Sequence, residues 1–305
     1  MPSAGPDRRV QCGLIPAPAV MNHLSRLQSP DQKLTYTAKP VLYNLLRFCS
    51  VLAFFNAYGS WIDAIRINAI SDEVRNGRLV WVKRRKRGSR QIIHAANLFF
   101  RLAGNPVSVC VQIEHWRRWE IECFQLLHGE SFRAFAGGPC EVCADRLPGE
   151  TLCQRLSENR LTAQMLRAAS RELRRAHALY SASFDGPWSH GDAHLGNFLY
   201  DETTGRCRLI DFEVMHHRSI SADERHANDL LTPLLDLMGR IDEENWIPFA
   251  LEFIHAYDRP GITHLLRQYL SVPNGFPRLW WAIRTGYISS DEIRRRVLGL
   301  SRHLF

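Results

Sequence analysis

The chain has 305 residues, 45% apolar and 23% charged, and a formal net charge of +8. That is enough apolar material for one large domain or two lobes, and the positive surplus favours anionic partners such as a nucleotide, a phospholipid surface or a phosphorylated sugar. A secretory signal and a bilayer span are both argued against: the first twenty residues show no apolar h-region, and Asn44, Arg47 and Asn56 break the apolar stretch 41–62.

In chain order, residues 1–38 are rich in Pro, Ser, Gln and charge and read as a loose extension, with Met21 an alternative start. The stretch 41–62 reads as core, with interfacial membrane contact as the other option. Asn56–Ser60 is a short loop holding a single glycine, Gly59, which could equally be a helix cap. Ile65–Ile70 is a predicted strand. The Asn76-Gly77 turn is a strong hairpin signal, and Leu79–Lys83 is a strand that ends in Lys83. Alternation puts Trp81 and Lys83 on one face and Arg84 on the other. Arg84–Arg87 continue as a basic run, so Lys83 could also be one more cation of a solvated loop.

Residues 89–109 are apolar with scattered Arg. They read as an inserted helix packed over the sheet or as a substrate- or membrane-facing lip, with an apolar load carried by Ile92, Ile93, Leu98, Phe99, Phe100, Leu102 and Val107. Residues 114–129 have helical spacing through Trp116, Trp119, Cys123, Leu126 and Leu127, with Glu120 and Glu122 as acids. Eight cysteines are scattered, mostly in apolar runs, and read as free thiols in a reducing cytoplasm. Cys140 and Cys143 have zinc-like spacing, with Cys153 following, but a second pair or a His partner is missing.

Glu141–Asp145 reads as a strand leading into Leu147-Pro148-Gly149-Glu150-Thr151-Leu152. Residues 162–180 form a helix whose stripe is Met165, Leu166, Ala169, Leu173, Ala176 and Leu179. Beyond Glu213, helices are expected over 221–240, 243–257, 261–270 and near 290–303, the first capped by Ser221. His216 and His217 read as loop or surface histidines.

Chemistry concentrates in Ser189–Glu213, "SHGDAHLGNFLYDETTGRCRLIDFE". Phe198–Tyr200 and Arg206–Ile210 are the arms of a hairpin turned at Asp201–Gly205. Such a hairpin brings Asn197 and Asp211 side by side at its open end, with Asp192 on the tight loop before it. One carboxylate can then orient or deprotonate a hydroxyl, while the Asn and the second Asp bind Mg²⁺ as hard oxygen ligands. Gly191 permits the turn, and His190 can brace it.

"HGDAHLGN" (190–197) and "LIDFE" (209–213) resemble the HGDxHxxN loop and the IDF/DFG-type element of the aminoglycoside phosphotransferase, choline kinase and lipopolysaccharide-kinase branch of the protein-kinase-like superfamily. The resemblance implies an α+β, two-lobed protein-kinase-like fold. Residues 39–146 would be a small β-rich nucleotide-binding N-lobe and 147–305 a larger helical catalytic C-lobe. It implies Asp192 as catalytic base and Asn197 and Asp211 as Mg²⁺ ligands; His194 also falls on a motif position. Lys83 would anchor the ATP phosphates, and the similarity of "WEIECFQLL" to a family helix selects Glu120 over Glu122 as its partner. Asn56–Ser60 would cover the phosphates, backbone groups after 141–145 would hold the adenine, and Asp229 resembles an acid that braces the catalytic loop. Glu213 stands where protein kinases carry Gly.

The expected activity is that of a Mg-ATP-dependent kinase acting on a hydroxyl of a small molecule or lipid-linked sugar. The expected location is the cytoplasm, with peripheral docking on an anionic inner membrane face through 83–107. The rivals are a Ser/Thr protein kinase, disfavoured by the short interval after Phe212, and a non-catalytic pseudokinase, disfavoured by the complete polar set. Nucleic acid is not an expected partner, because no stacking aromatics accompany the basic run.

Overall fold

The two-residue turn at Asn76-Gly77 sets the register of the first sheet. Both residues have positive φ, 52° and 73°, the twist that lets a tight hairpin close. β1 (Asn68–Arg75) therefore pairs with β2 (Arg78–Arg85) from Arg75 opposite Arg78 to Asn68 opposite Arg85. The strand lies later in the chain than the predicted 65–70, because pairing must begin at the turn. Likewise β2 does not stop at Lys83 but runs on through Arg85. The computed structural model describes residues 67–129 and 131–304; the expectations for 1–38, 41–62 and Asn56–Ser60 lie outside the described residues.

The other elements follow in order. α1 (Ser89–Leu102), β3 (Val107–Val109) and α2 (Ile113–His128) lead to β4 (Ala134–Gly138), β5 (Glu141–Asp145) and β6 (Glu150–Thr151). Then come α3 (Leu152–Ser157), α4 (Ala163–His177), β7 (Tyr180–Ser181) and β8 (Gly186–Pro187). A 3₁₀ turn (Leu195–Asn197) opens the hairpin β9 (Phe198–Asp201) and β10 (Arg206–Leu209), followed by β11 (Val214–His216). The chain continues through α5 (Ala222–Met238), α6 (Glu243–Tyr257), α7 (Pro260–Tyr269), α8 (Pro277–Arg284) and α9 (Ser290–Leu304).

The result is a mixed α/β molecule with a sheet region and many helices. The main sheet has the order β1-β2-β5-β4, a second joins β10-β9-β6, and β11 pairs with β3. All described elements fall in one compact unit, Arg66–Phe305. Its main core runs from Trp116 and Trp119 of α2 through Leu166 and Leu173 of α4 to Leu230, Leu234, Trp246, Phe253 and Leu300. The predicted stripe of α4 is thus the buried face. α5 is buried from Arg225 to Met238 and starts with a capping box between Ser221 and Glu224.

Packing decides how three features are used. Much of the apolar load of 92–107 is packed, as the first of its two readings expects: Phe99 rests edge-on against Phe276 and Phe100 against Trp280, at ring distances of 5.6 and 5.5 Å, and Val107 is a sheet residue opposite His216, while Leu102 stays exposed. Part of the basic run beside it is engaged too, since Arg84 bonds Glu141 at 2.6 Å and Arg85 is buried over the Trp116 ring, while Arg87 and Arg90 stay exposed. His216 is a core histidine, bonded to Ser189 Oγ at 3.0 Å and Asn228 Oδ1 at 3.1 Å. None of the described helices is long and apolar enough to cross a membrane.

α8 was not foreseen. Its eight residues are too few for a helical period to emerge, although Pro277 sits at the favoured first position. Its C-terminal end is fixed by a close backbone approach. A Cβ on Gly239, at the end of α5, would lie 2.4 Å from the carbonyl carbon of Thr285, and Thr285 is fully buried. Gly239→Ala should therefore cost about 1–3 kcal/mol, as overpacking does. Gly261→Ala, which meets open space within α7, should be neutral or stabilising by up to about 1 kcal/mol. Urea midpoints measure both, and equal midpoints would refute the close contact.

Candidate active site

The loop carrying Asp192 is held by two acids on one face of α5. Asp229, fully buried, accepts the backbone N–H groups of His190 at 2.7 Å and Gly191 at 2.8 Å. Asp236, seven residues on, accepts the N–H of Leu195 at 3.1 Å. That spacing is two helical turns, so both carboxylates face the loop. Gly191 has φ 87°, and a Cβ there would sit 3.0 Å from the Val214 carbonyl oxygen. The turn thus needs glycine for conformation and for space.

Around Asp229 lies a set of buried histidines. His177 Nε2 donates to Asp229 at 3.0 Å, while its Nδ1 accepts from the Tyr257 hydroxyl at 2.6 Å. The His226 ring stacks on His177 at 3.9 Å. Burial pushes His177 and His216 below the usual imidazole range. Burial, helped by His177, pushes His226 down to about 3. Burial opposes charge on Asp229 too, but the neighbouring His216 and the bond from His177 hold it well below the usual carboxylate range. Asp229 is therefore a brace for the loop and not an exposed helix acid.

The loop itself is tightly tied. His194 N donates to the Asp192 carbonyl at 2.9 Å, and Gly196 N to His194 Nδ1 at 3.0 Å. Asn197 Nδ2 donates to the same Asp192 carbonyl at 2.8 Å, which leaves its Oδ1 as the uncommitted end of the amide. Ile210 N donates to Asn197 O at 3.1 Å, so the residue before Asp211 is bonded to the Asp192 loop. Asp211 takes a left-handed conformation, φ 67°, which Asp tolerates better than most residues. Phe212 is buried against Phe124 at 5.0 Å, locking the turn.

Lys83 enters from the sheet. Its Nζ lies 2.9 Å from Glu120 Oε1 and 3.4 Å from Glu213 Oε2, and it is ion-paired with Asp211. Trp116 Nε1 donates to the other Glu120 oxygen at 3.0 Å, so Glu120 is fixed at both ends. Glu122 points elsewhere, accepting from Ser181 Oγ at 3.2 Å and Ser183 Oγ at 2.7 Å. Burial works against the charge on Lys83, but Asp211, Glu120 and Glu213 together hold its pKa above the usual lysine value. Burial also opposes charge on Asp211, and the Lys83 ammonium overrides it and keeps the carboxyl low. Burial and the adjacent Asp211 push Glu213 up to about 7.

The structure thus brings Lys83, Glu120 and Asp211 into contact, and ties the Asp192–Asn197 loop to the segment after β10 that carries Asp211. Three participants escaped the sequence reading. Glu213 was seen only as a departure from glycine, yet it meets Lys83 and the Asn68 side chain. Asp236 carried no motif. Arg284 of α8 ion-pairs with Asp192 from 92 residues away, and nothing local in the sequence could signal it. The Asn197 amide oxygen and the Asp211 and Glu213 carboxylates are hard donors, the type that suits Mg²⁺. They adjoin a cluster in which one ammonium faces three carboxylates. Cys143 packs with Val80 and Val82 in a small apolar cluster, and among the described residues no three His, Cys, Asp or Glu side chains form a metal-binding group.

No protein-family model and no curated protein matches the chain. Among solved structures it is similar to the Mycobacterium tuberculosis protein Rv3197 in complex with erythromycin, at 18% identity and TM-score 0.35 over 78% of this chain and 70% of that one. It is also similar to Plasmodium vivax ethanolamine kinase, at 11% identity and TM-score 0.40 over 97% and 96% of the two chains.

Two outcomes follow from the brace. Asp229→Asn turns an NH₂ group toward a backbone N–H and should cost about 2–4 kcal/mol in urea unfolding; an unchanged midpoint would show that Asp229 does not hold the loop. Stability should also fall as pH drops below about 6.5, because the unfolded chain takes up protons that buried His177, His216 and His226 refuse, an uptake that the single proton Glu213 gains on folding offsets only in part. Each such histidine adds up to about 1.4 kcal/mol per pH unit to the slope. Unfolding free energies at pH 7.5, 6.5 and 5.5 test the sign, and a flat profile would contradict it.

Proposed function

We propose that the chain is a phosphotransferase that moves the γ-phosphoryl group of ATP to an alcohol hydroxyl of a small molecule or lipid-linked sugar. The layout would be two-lobed and protein-kinase-like, with 39–146 binding the nucleotide and 147–305 carrying the catalytic loop. The observation that supports this best is the meeting of Lys83, Glu120 and Asp211 beside the Asp192–Asn197 loop. Each comes from a different element, and together they supply a cation for phosphates, a general base and hard oxygen ligands.

In this reading Asp192 orients the acceptor hydroxyl and receives its proton, which later passes to water. The hydroxyl oxygen bonds to the γ-phosphorus as the bond to the bridging oxygen breaks, and ADP departs. Lys83, set by Glu120 and Trp116, balances phosphate charge. Asn197 and Asp211 would hold Mg²⁺, with Glu213 close by; the ion's contribution is to neutralise charge on the phosphate oxygens. Most of the rate gain would be positioning and electrostatics.

Transfer of labelled γ-phosphate onto pooled sugars, lipids and metabolites is the direct test. Asp192→Asn should keep ATP binding and lower turnover by roughly 10²- to 10⁴-fold; near-normal turnover would remove Asp192 from the mechanism. Asn197→Ala and Asp211→Ala should each weaken Mg-dependent ATP binding in calorimetry, and unchanged affinity in both would mean these residues hold no metal. Lys83→Ala should raise the KM for ATP and lower kcat, while Arg84→Ala, tied to Glu73 and Glu141 on the other face, should do so much less.

A further inference from the structure

Arg284 is placed with unusual care for a residue near a helix end. Its guanidinium carbon lies 4.3 Å over the Trp280 ring. Trp280 is held in turn by Phe99 and Phe100 of α1. On the other side, Thr285 bonds back to the Trp281 carbonyl at 2.9 Å and abuts the glycine backbone at the end of α5. The side chain is 17% exposed, and its buried Nε finds no acceptor among the described residues. Its ion-pair partner among the described residues is the Asp192 carboxylate. With Nη2 on Asp192 and Nε buried, Nη1 is the donor this preorganised guanidinium can offer to a second oxyanion, such as a phosphate or a carboxylate.

We infer that Arg284 is the specificity-determining residue on the acceptor side and that the acceptor carries an anionic group close to the hydroxyl it presents. This rests on the phosphotransferase reading. Without acceptor, Arg284 pairs with Asp192 and occupies the oxygen that would meet the hydroxyl. An acceptor bearing a phosphate or carboxylate offers Arg284 an alternative partner and frees Asp192 for the hydroxyl. Arg284 and Asp192 are in contact, so the anionic group and the hydroxyl must lie within roughly 3–6 Å of each other, one hydrogen-bond length from each side chain. That spacing describes a phosphorylated polyol or a sugar acid. A cationic amino alcohol would set its charge against the guanidinium and is disfavoured.

The probes are matched sets: glycerol, glycerol 3-phosphate and ethanolamine for phosphate, and glucose and glucuronate for carboxylate. Calorimetric titration of the full chain should show at least one anionic probe bound ~10-fold or more tightly than its neutral counterpart, and tighter than ethanolamine. Arg284→Met should remove that advantage, so that anionic and neutral members of each set bind alike. Arg284→Lys, which keeps the charge but not the fork, should restore part of it; it also serves if the methionine variant proves unstable in thermal denaturation. In the transfer assay, Arg284→Met should raise the KM of anionic acceptors ~10-fold or more with a smaller change in kcat. Tighter binding of ethanolamine, equal anion binding by wild type and Arg284→Met, or no anion binding at all would each overturn the inference. If anions bind through Arg284 but phosphate is never transferred, the phosphotransferase reading falls and the anion site stands. If transfer is found but is indifferent to acceptor charge, the reverse holds.

Discussion

Lys83 is a charge buried in protein, and much of the site follows from what that requires. An ammonium taken out of water must be paired closely or it loses its proton. Three carboxylates meet it, from α2 and from the segment after β10. The sheet, the long helix and the Asp211 turn are thereby fixed to one another at one point. The pairing is not balanced, since three acids face one base. Glu213 is driven up to about 7 by burial and by Asp211. A cluster that carries more negative than positive charge at the end of a hairpin is a natural place for a cation.

The second constraint is the platform beneath Asp192. A tight polar loop exposes backbone N–H groups, and burying them without acceptors would cost about 1–3 kcal/mol each. Asp229 and Asp236 supply those acceptors from α5. Asp229 is itself buried, so it needs the neutral histidines and Tyr257 around it. The rigidity of the loop is thus paid for by a polar network inside an otherwise apolar helical core. Such networks position groups well where their members are bonded, as Asp229, His177 and Tyr257 are here.

The contact of α1 with α8 gives the aromatic residues of both helices a role in shaping the site. Phe99 and Phe100 carry an apolar surplus that suggested a lipid surface when read alone. In the fold they support Trp280, and Trp280 supports Arg284. The same residues therefore act on the position of Arg284 through packing, and their hydrophobicity needs no membrane to explain it.

The sequence by itself determined the local parts. The Asn76-Gly77 turn, the stripe of α4, the Ser221 cap and the hairpin after Asn197 follow from turn chemistry, periodicity and capping, which act over a few residues. That Asp192, Asn197 and Asp211 lie near one another was legible for the same reason, since they belong to one loop and one hairpin. Lys83 and Glu120 were visible as candidates, but rivals such as Arg84, Arg85 and Glu122 sat beside them. Only the tertiary structure separated these, by giving Arg84 to surface acids, Arg85 to Trp116 and Glu122 to two serines. Glu213 as a partner of Lys83, Asp236 as a brace and Arg284 against Asp192 were decided wholly by the fold. Each joins segments tens of residues apart, and burial, which turns a charged side chain into a partner-seeking one, is a property of the packed chain and not of its local sequence.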